Sequence, residues 1–276
     1  MKTLPELPEV ETIRRQLAPY LSGKKITRVD VPDPSICAPV EPAAFKRILR
    51  GRTIVNVSRR GKYLLLGLDK GDSLVLHLRM TGRLTATRLP VPHTGRKHLR
   101  LVLAFDDEAL AFHDVRRFGT ATILPEAEAS GYWKRLGVEP LERTFNSREL
   151  EKLLDDRKRP VKSLLLDQSL IAGIGNIYAD EALFAARIHP LRPAREVAGN
   201  EAARLAKAIK ETLRRAIRLQ GSSIDTYRDS RGRAGRFQDT FRVHRREDEP
   251  CPDCGGTVKK TRVGGRGTYF CPGCQK

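Results

Sequence analysis

The pattern of apolar positions divides the chain into a strand-rich first part and a helical second part. Near the start, apolar residues recur every three or four positions in ELPEVETIRRQLAPYLSG, with Pro8 near the first turn and Gly23 after the last, which predicts a helix with one buried face. Short, closely spaced apolar runs follow, and they predict an antiparallel sandwich or barrel rather than alternating strands and helices. These runs are KITRVDV, RTIVNVSRR, KYLLLGL, SLVLHLRM, HLRLVLAF, LAFHDV and TATIL.

The strand pattern stops near Pro125, and the stretch PEAEASGYWKRLGVEPLERTFN is interpreted as a connector. Helices are expected from Ser147 onwards. The clearest is NEAARLAKAIKETLRRAIRLQG, with apolar residues four apart, Asn200 as the predicted cap, Gly221 as the stop and a basic opposite face. The following RDSRGRAGRFQ has almost nothing to bury and is predicted to be a mobile loop.

Cysteine spacing indicates a metal site near the end of the chain. Cys251 and Cys254 form one Cys-x-x-Cys pair, and Cys271 and Cys274 form a second pair after sixteen intervening residues. Four thiolates at this spacing predict one tetrahedral, structural Zn²⁺ with no open position for a reactive water. The fifth cysteine, Cys37, is expected to be a half-buried structural thiol.

The segment between the two cysteine pairs, VGGRGTYF, is predicted to be a hairpin with Arg266 at its tip. That arginine is either a solvated turn residue or a phosphate contact. A second glycine-rich stretch, AGIGNIYADEALF, predicts a tight turn followed by a helix that Asn176 caps, and free backbone N–H groups at such a helix start can bind an anion. The same pattern also fits an ordinary connection between two helices.

Charge narrows the class of partner without identifying a reaction. The 276 residues contain 52 Lys and Arg against 33 Asp and Glu, a formal net charge of +19. An anionic partner is therefore favoured, with nucleic acid first, although a ribosome-bound protein or a generally basic proteome gives the same balance. No run of 18 apolar residues exists, and acidic residues interrupt the region where a signal peptide needs its apolar stretch, so a cytoplasmic protein without a membrane partner is expected.

Several motifs together resemble the bacterial formamidopyrimidine-DNA glycosylases along essentially the whole chain. They are PELPEVET, RRGKYL, HLRMTG, DVRRFG, LLLDQSLIAGIGNIYADEALF and the terminal cysteine pairs with GRGT, in that order. The resemblance implies an α+β multidomain protein: an N-terminal antiparallel β-sandwich with a flanking helix, a helix-two-turn-helix domain and a four-cysteine zinc ribbon, with DNA held between the halves. The expected boundaries are 1–134 for the catalytic sandwich, 135–146 for a linker, 147–238 for the helical domain with its lesion-capping loop and 239–276 for the zinc finger.

The resemblance also implies roles for residues near the start. Pro5 corresponds to the family's nucleophile, which forms a Schiff base with the deoxyribose, Glu6 to its catalytic carboxylate and Glu9 to a supporting acid. An α-amino group, with a reference pKa of about 8, is partly neutral at neutral pH and so can act as a nucleophile, unlike most lysines. Read without the resemblance, Glu6 and Glu9 are acids that compensate a helix dipole.

Further positions match the family's DNA contacts. Lys62 matches a lysine that contacts phosphate beside the lesion and is needed for efficient chemistry. Met80, Arg116 and Phe118 match the triad that fills the gap left by a flipped base, with Phe118 wedged into the stack and Arg116 facing the orphaned base. The other matches, each resembling a phosphate contact, are His77, Lys162, Asn176 and Arg266. Taken singly, a lysine or histidine is better explained by solvation or structural packing, and an isolated methionine or phenylalanine by the core.

The implied function is base excision repair by a monomer that removes oxidised purines such as 8-oxoguanine and formamidopyrimidines from double-stranded DNA and then cuts the abasic strand by β,δ-elimination. One departure from the family pattern is that four residues, Met1 to Leu4, precede Pro5, and Pro5 as written is an amide. We expect that translation starts at the Leu4 codon. Two alternatives remain: a catalytically silent damage-binding protein, or an endonuclease VIII-like glycosylase for oxidised pyrimidines, whose sibling pattern opens Pro-Glu-Gly-Pro.

Overall fold

The first helix, α1, spans Leu7–Leu21, as the apolar spacing predicts. Its buried stripe includes Leu7, Val10, Ile13 and Leu17, and Pro8 lies in the first turn, where a missing backbone N–H costs no helical hydrogen bond. The chain is described by a computed structural model over residues 4–91, 97–224 and 227–276. Residues 1–3, which belong to the segment before Pro5, lie outside that description.

Strands and helices group into two units. The first contains residues 1–133 with 220–235, and the second contains residues 134–219 with 236–276. Among the described residues no helix is both long and apolar enough to cross a bilayer.

Two four-stranded antiparallel sheets form the body of the first unit. The strands are β1 Arg28–Asp30, β2 Ile54–Arg60, β3 Tyr63–Leu68, β4 Ser73–His77, β5 Gly82–Arg88, β6 Leu99–Phe105, β7 Glu108–Asp114 and β8 Thr120–Leu124. One sheet has the order β1-β6-β7-β5 and the other β2-β3-β4-β8. Alternate apolar residues of both sheets join one core with the buried face of α1, which confirms the predicted sandwich. Strand β5 was not predicted, because GRLTATR buries only Leu84 fully.

Two helices of the first unit were also not predicted. Helix α2 spans Pro42–Leu49 and buries only Phe45 and Leu49, while α3 spans Glu126–Trp133 and buries no residue. The expectation that helices begin at Ser147 was therefore wrong for these two segments. Neither is long enough to show a repeating apolar stripe, which is the signal that sequence periodicity depends on.

The segment expected to have almost nothing to bury lies mostly in the first unit and is anchored there. Asp229 is 0% exposed, and its carboxylate accepts the backbone N–H groups of Arg231 at 3.0 Å and Arg233 at 2.8 Å. Helix α1 contributes Gln16, whose amide nitrogen lies 2.8 Å from Asp229 and whose amide oxygen accepts from the Ser230 hydroxyl at 2.7 Å. The prediction about burial was wrong because polar residues here bury their side chains against one another.

The second unit contains four helices, α4 Ser147–Leu154, α5 Val161–Leu165, α6 Asn176–Ala185 and α7 Asn200–Arg218, in the part of the chain described. Between α5 and α6 the Gln168 side chain donates to the Ile174 carbonyl at 2.8 Å and accepts from the Gly173 N–H at 2.9 Å. This fixes the turns of a helix-two-turn-helix. Both predicted caps were off by one residue, since Gly175 and Gly199 are the N-caps and the asparagines begin the helices.

The terminal ribbon contains the hairpin β9 Lys259–Val263 and β10 Arg266–Phe270. Gly264 and Gly265 form the turn of this hairpin, with φ of 55° and 73°, a region that favours glycine. Arg266 is the first residue after the turn. In the first unit Cys37 is fully buried rather than half-buried, with its thiol 3.3 Å from the Pro34 carbonyl, and burial raises its pKa.

We predict that Asp229→Ala lowers the free energy of unfolding by about 1–3 kcal/mol, because it leaves buried N–H groups without an acceptor. Urea unfolding followed by circular dichroism measures the change. Asp239→Ala is the matched control, since Asp239 is exposed and should change stability by less than about 0.5 kcal/mol. Equal stability of the two variants would mean that the Asp229 contacts contribute nothing net.

Candidate nucleic-acid interface and zinc centre

Pro5, Glu6 and Glu9 form a buried, ordered start to helix α1. Pro5 is buried, and Glu6 and Glu9 are 3% and 2% exposed. The Glu9 carboxylate accepts the Glu6 backbone N–H at 2.9 Å and the Ser222 backbone N–H at 2.7 Å. Acids that only compensate a helix dipole stay in water, so this burial favours a specific role for both.

Glycine at position 221 is required beside Glu9. Its φ is +80°, and a Cβ there would lie 2.7 Å from a Glu9 carboxylate oxygen. Glu9 therefore connects the residues that precede α1 to the start of the 220–235 segment. Sequence reasoning missed this connection, because the contacts join residues more than 200 positions apart.

Sheet register brings Lys62 and His77 to the same end of the sandwich. Lys62 occupies the turn between β2 and β3, and the next residue, Tyr63, pairs with His77 at the end of β4. The two rings are 4.5 Å apart, and His77 Nδ1 accepts the Arg79 backbone N–H at 2.9 Å. When the ring is neutral, that hydrogen bond assigns its proton to Nε2.

Met80, Arg116 and Phe118 lie on two loops that leave this same end. His77 also pairs with Thr120, the first residue of β8, and Gly82 of β5 pairs with Asp114, the last residue of β7. The loop between β4 and β5 thus carries Met80, and the loop between β7 and β8 carries Arg116 and Phe118.

These three side chains form one cluster, which we call the tip, with Arg116 and Phe118 exposed and Met80 half-buried. The Arg116 guanidinium lies 4.8 Å from the centre of the Phe118 ring, and its Nη1 lies 3.0 Å from the Met80 sulfur. Phe118 is 51% exposed although it is a large apolar residue. The preceding Val115, which sequence reasoning did not select, is also exposed. An aromatic ring and a cation held outside the core are suited to stacking on a base and facing its partner.

Lys162 does not lie where a phosphate can reach it. Its side chain is 0% exposed, and its ammonium lies 2.7 Å from an Asp180 carboxylate oxygen and 2.7 Å from the Thr268 hydroxyl. The other Asp180 oxygen lies 2.8 Å from Nδ1 of His244. The expected direct phosphate contact of Lys162 does not fit this burial. Its observed role is to join α5, α6 and β10.

Asn176 and Arg266 are partly exposed and lie near one another through the same strand. The Asn176 amide donates to the Gly267 carbonyl at 2.9 Å, and Lys162 donates to the same carbonyl at 3.2 Å. Since Gly267 follows Arg266 in β10, these two bonds fix the backbone that presents the arginine. Asn176 and Arg266 are thus held at the same stretch of β10, to which the buried Lys162 is also bonded.

The four ribbon cysteines form the predicted metal site. Their sulfur atoms all lie within 4.8 Å of one another, with Cys254 and Cys271 sulfurs 3.5 Å apart and those of Cys251 and Cys274 3.7 Å apart. Zn–S bonds of about 2.3 Å place tetrahedral sulfurs about 3.8 Å apart, so the geometry fits Zn²⁺. A closed four-sulfur site is structural.

A β-sandwich with an exposed tip, a helix-two-turn-helix unit and a four-cysteine ribbon define a zinc-ribbon class of nucleic-acid-binding proteins. Three family models match in sequence order: the formamidopyrimidine-DNA glycosylase N-terminal domain over residues 4–121, the H2TH domain of the same glycosylases over 136–228, and the zinc finger found in FPG and IleRS over 248–276. The chain belongs to the formamidopyrimidine-DNA glycosylase family.

Individual relatives match over almost the whole chain. The formamidopyrimidine-DNA glycosylase of Pelotomaculum thermopropionicum is 45% identical over 275 residues, which cover 99% of both chains. A point mutant of the Lactococcus lactis FPG, solved in complex with a Fapy-dG containing DNA, is 38% identical with a TM-score of 0.92, covering 99% of this chain and 100% of that one. The Lactococcus lactis Fpg solved with an abasic site containing DNA is 38% identical with a TM-score of 0.91, covering 98% and 99%.

We predict that Cys254→Ser abolishes stoichiometric zinc binding, because three thiolates no longer close the tetrahedron. Zinc measured by inductively coupled plasma mass spectrometry should fall from one per chain to well below one. Backbone amides of residues 248–276 should exchange hydrogen faster, while those of the sandwich stay unchanged. Cys37→Ser is the control and should keep one zinc per chain. A Cys254→Ser protein with full zinc and a protected ribbon would contradict the assignment.

Proposed function

We propose that the protein is a bifunctional DNA glycosylase and abasic-site lyase of base excision repair that removes oxidised purines from double-stranded DNA. The observation that carries the proposal is the tip: a 51% exposed Phe118 with Arg116 against its ring, at the end of the sandwich that also carries Lys62 and His77. The Lactococcus lactis relatives were solved on DNA containing Fapy-dG or an abasic site, which supports the same substrate class here.

In this proposal, insertion of the tip into the duplex offsets the free-energy cost of base extrusion. An enzyme that acts on a stacked base must first remove it from the duplex, and an inserted side chain fills the space left behind. Phe118 enters the stack, Arg116 faces the orphaned base and Met80 packs beside them. The net charge of +19 supplies the attraction to the phosphate backbone, to which Lys62, His77, Asn176 and Arg266 contribute local contacts.

The chemistry is carried by Pro5 and Glu6. The secondary amine of an N-terminal Pro5 attacks C1′ of the deoxyribose, the C1′–N bond to the base breaks, and the base leaves with the electron pair and a proton. Glu6 protonates the ring oxygen as the sugar opens, which gives an iminium between Pro5 and C1′. Loss of a C2′ proton then breaks the 3′ C–O bond, and a second elimination breaks the 5′ C–O bond.

The remaining groups have supporting roles. Glu9 holds the Glu6 backbone, and the buried Lys162 joins α5 to α6 and β10. Zinc stabilises the ribbon and takes part in no reaction step. The proposed division is 1–134 for the catalytic sandwich, 135–146 for the linker, 147–238 for the helical domain and 239–276 for the zinc finger, with the difference that residues 220–235 belong to the first compact unit. We also propose that the protein acts as a monomer in the cytoplasm, associated with the nucleoid.

We predict that Phe118→Ala lowers excision of 8-oxoguanine at least about tenfold but changes cutting at a preformed abasic site by less than about threefold, because an abasic site has no damaged base to extrude. Single-turnover assays on the two duplexes measure both rates. Val115→Ala is a control for removal of an exposed apolar side chain from the same loop. Equal losses on both substrates would remove Phe118 from the extrusion step.

We predict that a chain beginning at Pro5 cuts abasic DNA and is trapped on it by borohydride, whereas a chain that retains Met1 to Leu4 binds DNA but does neither. An amide nitrogen has no usable lone pair, while the free secondary amine has a reactive fraction at neutral pH. Intact mass verifies each N-terminus before the assay.

The two forms also separate the proposed enzyme from a silent damage-binding protein. A mass-verified Met1 form that crosslinks as well as the Pro5 form would make another amine the nucleophile, with Lys62 as the first to test. A Pro5 form that binds damaged DNA without cutting it would favour the silent binder. Preferential excision of oxidised pyrimidines would favour the endonuclease VIII-like alternative.

A further inference from the structure

Beneath the exposed tip lies a buried carboxylate that contacts both of the loops carrying it. The Asp114 carboxylate accepts the Arg116 backbone N–H at 3.2 Å and the Gly119 backbone N–H at 2.6 Å. The Thr81 hydroxyl, next to Met80, donates to the same carboxylate and accepts the Arg116 N–H at 3.1 Å. One aspartate therefore joins the loop of Met80 to the loop of Arg116 and Phe118.

Close packing leaves this arrangement little freedom. A Cβ at position 119 would lie 2.6 Å from the Phe112 ring and 3.0 Å from the Asp114 carboxylate, so only glycine lets its N–H approach the carboxylate. The sequence DVRRFG therefore contains its own anchor. Asp114 accepts the N–H groups and Gly119 leaves room for them, on either side of the tip residues.

A fully buried arginine connects Asp114 to a second aspartate. Arg100 of β6 donates from Nη1 to the Gly119 carbonyl at 3.1 Å and lies 3.5 Å from the Asp114 carboxylate. Its Nε donates to Asp33 at 2.8 Å and its Nη2 to the Ser35 hydroxyl at 2.8 Å. A buried guanidinium is tolerated only when its donors have acceptors, and these four partners face four of its five N–H groups.

Arg117 completes the network from the solvent side. Its Nε and Nη2 donate to the two oxygens of Asp33, each at 2.7 Å, the two-point geometry that suits a guanidinium and a carboxylate. Its φ is +60°, a left-handed conformation that a non-glycine residue keeps only when its surroundings hold it there. Arg117 lowers the pKa of the Asp33 carboxyl well below its usual range, so the pair stays ionised at neutral pH.

We propose that Asp33, Arg100 and Asp114 are positioning residues that hold the tip in place, and that Arg117 closes this network onto Asp33 instead of contacting DNA. The inference rests on the proposed function for the role of the tip. The adjacent arginines of DVRRFG then have different partners: Arg116 faces outward to the DNA, and Arg117 turns back to pair with Asp33. An ordered tip avoids the cost of ordering these loops when DNA binds.

The test uses Arg117→Ala as the main variant, because the Arg117 side chain is 65% exposed and its removal leaves the buried partners in place. Arg117→Lys keeps the charge without the two-point geometry, and Asp33→Asn attacks the same contact from the other side. Arg47→Ala is the matched control, since it removes one exposed arginine elsewhere on the sandwich. Thermal unfolding establishes that each variant is folded.

The first readout is independent of activity. In the protein without DNA, hydrogen exchange of the 114–119 amides should accelerate at least about tenfold in Arg117→Ala and Asp33→Asn, less in Arg117→Lys and not in Arg47→Ala. Unchanged exchange in both Arg117→Ala and a folded Asp33→Asn overturns the proposal. Because no substrate is present, this outcome judges the network even if the proposed enzyme activity fails.

The second readout separates positioning from DNA contact. Arg117→Ala should lose about tenfold in 8-oxoguanine excision, keep cutting at a preformed abasic site within about twofold, and match Arg47→Ala in the salt dependence of binding. A phosphate contact would instead lower the salt slope by about one and weaken both substrates alike, which would overturn the proposal. A parent protein that excises no oxidised purine would reject the proposed function and leave the exchange result to decide the network.

Discussion

The contact between the Asp114 carboxylate and the backbone of the 115–119 loop is the constraint on which the arrangement of the sandwich end depends. Strand pairing brings Gly82 opposite Asp114 and His77 opposite Thr120, so the β4–β5 and β7–β8 loops, each of which runs between the two sheets, must leave the sandwich side by side. Their backbone N–H groups need acceptors that no strand supplies. Buried Asp114, balanced by Arg100, accepts those of Arg116 and Gly119 together with the Thr81 hydroxyl, and so holds the backbone that carries Arg116 and Phe118.

The second unit solves a similar problem with a different buried group. Lys162 brings an ammonium into the core, where Asp180, Thr268 and the Gly267 carbonyl surround it. Leaving such a charge without partners would be far more costly than any gain from the pair itself, so these contacts specify one arrangement more than they add stability. The consequence is that the ribbon strand bearing Arg266 is held against α6, the helix that begins at Asn176.

In both units, candidate site residues are carried by backbone that buried polar contacts hold in place. The same logic applies at the start of α1, where Glu9 holds the backbone of Glu6 and of Ser222, and Gln16 holds Asp229 and Ser230. Residues 220–235 are distant in sequence from α1 but belong to its unit. The carboxylate and amide groups of one helix therefore order a segment that has few apolar residues of its own.

The sequence by itself determined the helix α1, seven of the eight strands of the sandwich, the basic helix α7 and the cysteine site, because each is written in local spacing: a helical or alternating period, or four thiols at fixed intervals. It also selected the tip residues, although only through motifs. The strand GRLTATR and the helices α2 and α3 were missed because they bury too little to create a period. Tertiary structure alone decided that Lys162 is buried, that Gln16 anchors Asp229 and that Arg117 turns back to Asp33, since each depends on a partner or a loss of solvent that neighbouring residues in the sequence do not supply.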